Sequence, residues 1–251
     1  MAGHSHWAKI KRAKATTDAR RGRVWSKYAR RIIVAARTGG GSPADNLQLR
    51  YAIDDARSVN MPRDTIENAI KKGTGELGTA QYERALYEGY GPGGVAIMVE
   101  CLTDNRNRTA PELRNIFERA GGQLGGSNCV AWMFVQKGTL AVPASAVGED
   151  ALIELCLDAG ADDVVKEDDV FVITCEPTKF SVVKEALAGR NIATASAEVG
   201  MVPNSTVPVA GDKARQVLNL VEALEEHDDV QNVYANFDVP DELADREKAK
   251  A

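Results

Sequence analysis

Apolar residues recur every four positions at Val24, Tyr28, Ile32 and Ala36. At 100° per residue these side chains fall in one arc, which predicts an amphipathic helix from about residue 20 to 37. The opposite arc is basic and contains Arg20, Arg23, Lys27, Arg30, Arg31 and Arg37. The helix therefore has one face for packing and a basic ridge on the other.

Two shorter helices are predicted next in the chain. The sequence Ser-Pro-Ala-Asp at 42–45 has the features of a capping box and starts the second helix, whose apolar side lies between residues 47 and 56. The sequence Asn-Met-Pro at 60–62 breaks this helix, and a third helix from about 62 to 72 ends at Gly73. Three helices joined by short loops make a small bundle.

The pattern changes to strands and helices after a polar, glycine-rich linker at 73–81. Either Asn107 or Thr109 can cap the first helix of this region. The first α/β unit is predicted to contain strands 85–90 and 94–102, helix 109–120 and strand 129–135. A second cycle follows as strand 139–143, helix 148–159, strands 162–166 and 170–175, helix 177–188 and strand 192–199.

The β-α-β-β-α-β order of the second cycle is that of a ferredoxin-like split unit. A last helix at 212–226 and strand at 230–239 supply the pair that the first unit lacks, so the second unit is an insertion. We therefore predict an α+β protein, with an N-terminal three-helix bundle followed by two α/β (ferredoxin-like) domains, the second inserted into the first. The boundaries are 1–19 for a flexible basic arm, 20–75 for the helical bundle, 82–137 plus 205–240 for the α/β domain, 138–204 for the inserted domain and 241–251 for a frayed tail.

Charge is distributed unevenly along the chain. The net charge is only −5, but residues 1–37 contain eleven Lys or Arg and a single acid, Asp18. Residues 73–251 contain 15 basic and 30 acidic residues. Such asymmetry indicates that the N-terminus binds nucleic acid or another polyanion.

The basic residues of the arm and of the first helix are the candidate phosphate contacts. A merely solvated face normally mixes charges, whereas no acid occurs between Asp18 and Asp45. An aromatic ring in the arm is a candidate for stacking on an exposed base. The predicted nucleic-acid-binding residues are Trp7, Lys9, Lys11, Arg12, Lys14, Arg20, Arg21, Arg23, Lys27, Arg30 and Arg31.

A second candidate anion contact lies between a predicted strand and helix, at 103–109. Arg106 and Arg108, together with free N–H groups at the start of the helix, could hold a phosphate. A plain turn with capping explains Asp104 and Asn105 equally well, and both alternatives stay open.

Catalysis, cofactors and metals have no support in the sequence. Neither glycine-rich stretch fits a phosphate-binding loop or dinucleotide fingerprint, and three histidines do not assemble a nucleophilic or zinc-dependent site. The four cysteines are far apart and are expected to be reduced and buried. A hydrolase that uses a metal and the carboxylates of the inserted domain is the weakest alternative. We expect no cofactor or small-molecule substrate, no membrane segment and a cytoplasmic location.

Five sequence motifs, in order, resemble the YebC/PmpR family of probable transcriptional regulators. They are Met-Ala-Gly-His-Ser-His-Trp-Ala-Lys-Ile-Lys at 1–11, Asn-Met-Pro at 60–62, Ile-Lys-Lys-Gly-Thr-Gly at 70–75, Glu-Gly-Tyr-Gly-Pro-Gly-Gly-Val-Ala at 88–96 and Thr-Asp-Asn-Arg-Asn-Arg-Thr at 103–109. The resemblance implies a three-domain, non-enzymatic bacterial protein that binds promoter DNA. Relatives that include a mitochondrial translational activator imply an alternative, a translation factor that binds ribosomal RNA on the large ribosomal subunit and aids synthesis of proline-rich stretches.

The choice between these two targets stays open. Phosphate contacts position a protein on a nucleic acid but carry no sequence information. No recognition helix with base-reading side chains stands out, which favours RNA slightly. Sequence specificity, regulated genes, oligomeric state and the role of the acidic inserted domain do not follow from the sequence.

Overall fold

The computed structural model describes residues 18–78, 81–167 and 169–239 of the 251-residue chain. Of the predicted arm, 1–19, residues 1–17 lie outside the described residues, as does the predicted tail. The described chain forms two compact units. One comprises Trp132–Thr206, and the other lies on both sides of it in sequence.

The N-terminal bundle consists of helices α1 (Asp18–Gly39), α2 (Leu47–Ser58) and α3 (Arg63–Gly73). The apolar face of α1 packs against both shorter helices, and Ile32 and Leu49 are fully buried between them. The indole of Trp25 adds a hydrogen bond from Nε1 to the carbonyl of Val59, at 3.2 Å. The predicted packing face of the first helix is thus the face that builds the core.

The start of α2 differs from the prediction. Residues 42–45 form a turn rather than a capping box, and Asn46 is the cap. Its side-chain oxygen accepts from the N–H of Leu49, while its Nδ2 donates to the carbonyls of Ala35 and Gly40 at 2.8 and 2.9 Å. Asn46 is the cap because its one buried amide both caps α2 and joins α2 to the end of α1.

The first sheet contains β1 (Glu83–Tyr90), β2 (Ala96–Thr103), β3 (Gln123–Leu124) and β9 (Val230–Ala235), in the order β3-β1-β2-β9. All neighbours are antiparallel. Helices α4 (Arg106–Arg119) and α7 (Gly211–Glu226) contact each other and this sheet. The last helix and strand therefore complete the first sheet, as predicted. A short parallel pair, β8 (Val207–Pro208) with β10 (Phe237–Asp238), adds to this unit.

The inserted unit contains β4 (Phe134–Pro143), α5 (Glu149–Asp158), β5 (Ala161–Glu167), β6 (Val170–Cys175), α6 (Phe180–Gly189) and β7 (Ser196–Pro203). Its antiparallel sheet has the order β5-β6-β4-β7, which is the arrangement of a ferredoxin-like split unit. Leu140, Phe171 and Ile173 pack under the two helices. The predicted α+β fold, with one α/β unit inserted into another, is confirmed.

The start of the inserted sheet was predicted wrongly. Ala131–Met133 is a short 3₁₀ helix, and the two strands predicted at 129–135 and 139–143 are the single strand β4. Gly138, which directly precedes the second of these predicted strands, lies inside β4. A Cβ atom there would approach Cys175 Sγ to 2.7 Å and the Phe180 ring to 2.8 Å. The glycine serves close packing rather than a turn.

A buried carboxylate holds the loop that precedes the inserted unit. Glu88 is 4% exposed, its Oε1 accepts from the N–H of Asn128, and its Oε2 accepts from those of Val130 and Ala131, each at 2.8 Å. Three backbone donors without other partners would be costly to bury. Glu88 therefore fixes the loop by charge-assisted hydrogen bonds.

We predict that Glu88→Gln loosens this loop locally. The amide keeps the shape but turns an N–H₂ group toward backbone donors, which costs about 2 kcal/mol. Amide hydrogen exchange at residues 128, 130 and 131 should accelerate roughly thirtyfold. The exposed Glu83→Gln on the same strand is the control and should leave these rates unchanged. Equal rates in both variants would contradict the role of Glu88.

Candidate nucleic-acid interface

The predicted nucleic-acid-binding residues fall into three groups, according to how much of each the structure describes. Trp7, Lys9, Lys11, Arg12 and Lys14 lie outside the described residues. Arg20 and Arg21 belong to the first turns of α1, where the backbone but not the side chains is described. The remaining four side chains, Arg23, Lys27, Arg30 and Arg31, all have partners in one stretch of chain, Glu225–Asn232, here called the acidic segment.

The first two of these side chains meet the end of α7. Arg23 Nη1 lies 3.9 Å from Glu226 Oε1, and both side chains are about half exposed, at 46% and 52%. Lys27, one turn further along α1, donates from Nζ to the backbone carbonyl of Glu225 at 2.5 Å. The contact of Arg23 is loose and solvated, whereas Lys27 reaches into the segment.

Arg30 enters a buried cluster around Asp229. Its guanidinium donates to the carbonyl of Asp228 and lies 3.3 Å from the Asp229 carboxylate. That carboxylate, only 2% exposed, also accepts from Arg108 Nη2 and from Thr109 Oγ1, each at 2.7 Å. Two guanidinium groups and a hydroxyl thus surround one carboxylate.

Arg31 extends the same contact onto β9. Its Nε donates to Gln231 Oε1 at 3.1 Å and its Nη2 to Asn232 Oδ1 at 3.0 Å. A looser ion pair of 3.9 Å joins it to Asp55 on α2. The middle of the basic ridge therefore packs against protein.

The electrostatics of α7 explain why basic side chains collect here. A helix C-terminus carries partial negative charge and favours nearby cations. The last turn of α7 has no basic residue and ends in Glu225 and Glu226. Lys27 and Arg30 supply the missing cations from α1. They donate to backbone carbonyls at the C-terminal end of α7 and just beyond it.

The Asp229 carboxyl is held in its charged form. Burial alone would raise its pKa, but hydrogen bonds from Thr109 and Arg108, with the charges of Arg108 and Arg30, outweigh burial and lower the pKa. A pKa that is lower in the folded than in the unfolded chain contributes stability above the unfolded value, and the contribution is lost as pH falls through the folded value.

We predict that the free energy of unfolding decreases with acidification below about pH 4, the ordinary pKa of aspartate. Asp229→Asn cannot titrate at this position, so its stability should fall less steeply over the same range. Urea unfolding at a series of pH values measures both slopes. Parallel curves for the two proteins would show that Asp229 does not carry this dependence.

The 103–109 motif pairs its arginines with carboxylates of the same unit. Asn105, rather than Asn107 or Thr109, caps α4 by accepting from the N–H of Arg108 at 3.2 Å. Arg106 Nε lies 2.7 Å from Glu83, and Arg108 bonds Asp104 as well as Asp229. The predicted cap was wrong because Thr109 lies fully buried inside α4 and serves the Asp229 cluster. An anion contact of Arg106 and Arg108 stays a prediction.

Sequence reasoning missed Asp229 as a partner of the basic ridge. The signal was the pair of acids on each side of His227, at the end of the last predicted helix, opposite in charge to the first helix. Within the described ranges, no group of three or more His, Cys, Asp or Glu side chains could hold a metal ion. None of the described helices combines the length and apolar character needed to cross a bilayer.

The described residues define an α+β protein in which a helical bundle docks its basic first helix onto an acidic segment of an α/β unit. A family model described as the TACO1/YebC protein N-terminal domain matches residues 5–76. A second model, the TACO1/YebC second and third domain, matches residues 82–237. The chain therefore belongs to the TACO1/YebC family, which confirms the resemblance found in the sequence motifs.

Relatives are similar over nearly the whole chain. A probable transcriptional regulatory protein of Pelotomaculum thermopropionicum is 54% identical over 243 residues, covering 96% of this chain and 100% of the relative. One of Syntrophobacter fumaroxidans, with the same description, is 52% identical over 247 residues, covering 98% and 99%. The crystal structure of a conserved hypothetical protein from Aquifex aeolicus has a TM-score of 0.85 at 48% identity, covering 94% of this chain and 98% of that one.

Proposed function

We propose that this protein is a non-enzymatic, nucleic-acid-binding regulator of gene expression, most simply a DNA-binding transcriptional regulator. The observation that carries the proposal is the N-terminal charge, eleven Lys or Arg against one acid in residues 1–37. The description of relatives as probable transcriptional regulatory proteins supports the same role. Binding occurs chiefly through neutralised phosphates and is therefore sensitive to salt.

The arm and the start of α1 make the contacts. Lys9, Lys11, Arg12 and Lys14 neutralise phosphates, and Trp7 stacks on a base where one is exposed. The body of the protein opposes a flat approach to a duplex, because residues 73–251 contain twice as many acids as basic residues. Only the N-terminal part of the protein thus engages the nucleic acid.

Ribosomal RNA is the second candidate target, and Trp7 within the basic arm is the observation that favours it. Folded RNA offers splayed bases for aromatic stacking, which a regular DNA duplex does not. On this alternative the protein acts in translation, on the large ribosomal subunit. The two targets differ in whether Trp7 contributes to affinity.

Fluorescence anisotropy with a labelled DNA duplex and a labelled ribosomal RNA hairpin tests the proposal. We expect saturable binding of the full chain that weakens steeply with salt. Trp7→Ala should lower affinity for the hairpin about tenfold if RNA is the target, and leave duplex binding nearly unchanged. Absence of binding to both probes at low salt would refute a nucleic-acid-binding role.

A further inference from the structure

We propose that the acidic segment masks Lys27, Arg30 and Arg31 from polyanions, so that nucleic acid is bound only by the cations that precede them in the chain. This inference rests on the proposed function and specifies which part of the basic ridge performs it. The segment thereby limits the area of α1 that binds phosphates without regard to sequence.

The masked side chains form one patch of α1. Residues 27, 30 and 31 are spaced by three and four positions, which places them on one side of a helix. Each of them contacts oxygen atoms of the acidic segment: a carbonyl for Lys27, a carbonyl and a carboxylate for Arg30, and two side-chain oxygens for Arg31. The side chains of Arg30 and Arg31 are only 16% and 30% exposed.

The boundary of the mask falls between Arg23 and Lys27. Arg23 stays 46% exposed, and its 3.9 Å contact with Glu226 is the kind of solvated pair that a phosphate can replace. Arg20 and Arg21 precede it along the helix. The cations available to a polyanion are thus those of the arm and of the first turns of α1.

The contact of Arg30 with Asp229 contributes more free energy than a phosphate contact of Arg30 would. One phosphate contact strengthens binding about fivefold at physiological salt relative to molar salt. A phosphate that binds Arg30 in place of Asp229 removes one of the two cations that face this carboxylate. Loss of one partner of a buried ion pair lowers the equilibrium constant for folding by more than about a hundredfold. Nucleic acid therefore leaves this cluster in place.

Two triple variants on the same helix test the inference with equal loss of charge. Arg20→Ala, Arg21→Ala, Arg23→Ala should reduce the slope of log affinity against log salt by about 2.7, whereas Lys27→Ala, Arg30→Ala, Arg31→Ala should reduce it by less than about 1. The second variant should instead lower the melting temperature. An equal loss of slope in both variants would contradict the inference that Lys27, Arg30 and Arg31 are masked.

Asp229→Asn supplies a second test that does not remove any cation. Loss of this negative charge should tighten binding to a DNA duplex several-fold, about the value of one phosphate contact, and steepen the salt slope by about 0.9. Unchanged or weaker binding by the folded variant would count against the mask. Absence of salt-dependent binding in the unmodified protein would instead refute the proposed function, and the mask with it.

Discussion

Replacing Asp229 by alanine is expected to lower the free energy of unfolding by about 3 kcal/mol. The carboxylate is 2% exposed and compensates Arg30 and Arg108 together. Its removal leaves both guanidinium groups without their shared partner and takes from Thr109 Oγ1 the closest of its acceptors. A site with two remaining cations is destabilised by repulsion as well as by unmade hydrogen bonds.

Urea unfolding of the full chain, followed by fluorescence, measures this loss. Asp228→Ala is the matched control, because Asp228 is exposed and gives Arg30 only its backbone carbonyl, which alanine retains. The control should differ from the unmodified protein by no more than about 0.5 kcal/mol. Similar midpoints for the two variants would mean that the Asp229 cluster does not hold the bundle to the α/β unit.

The strongest periodic patterns predicted the fold well. The four-residue spacing of Val24, Tyr28, Ile32 and Ala36 identified α1, because an amphipathic helix must bury one face whatever it packs against. The β-α-β-β-α-β order of the second cycle predicted the sheet around β4, since few arrangements of that order bury their apolar faces.

Local signals failed where a distant contact decided the structure. Ser42 and Asp45 have the chemistry of a capping box, but Asn46 caps α2 because its amide also reaches α1. A glycine directly before a predicted strand suggests a turn, yet Gly138 lies within β4, where the approach of Phe180 leaves no room for a Cβ atom. Neither neighbour is near in sequence, so no local rule detects it.

The sequence predicted the positive charge of the candidate site but not the residues with which its basic side chains pair. The basic excess of the N-terminus is visible in the sequence, whereas the pairing of Arg30 with Asp229 joins residues about 200 positions apart. Charge counting treats every Lys and Arg of the ridge alike. The structure distinguishes Arg23, whose pair is solvated, from Arg30, whose partner is buried.

The salt dependence of nucleic-acid binding by an arm variant tests the central claim most directly. The variant Lys9→Ala, Lys11→Ala, Arg12→Ala, Lys14→Ala removes four predicted phosphate contacts, and its control removes four exposed cations elsewhere, Arg114, Arg119, Lys179 and Arg190. The arm variant should lose about 3.6 from the slope of log affinity against log salt and bind several hundredfold more weakly, roughly, at physiological salt. The control should keep the slope of the unmodified protein. An unchanged slope in the arm variant, or an equal loss in the control, would contradict binding through the N-terminal arm.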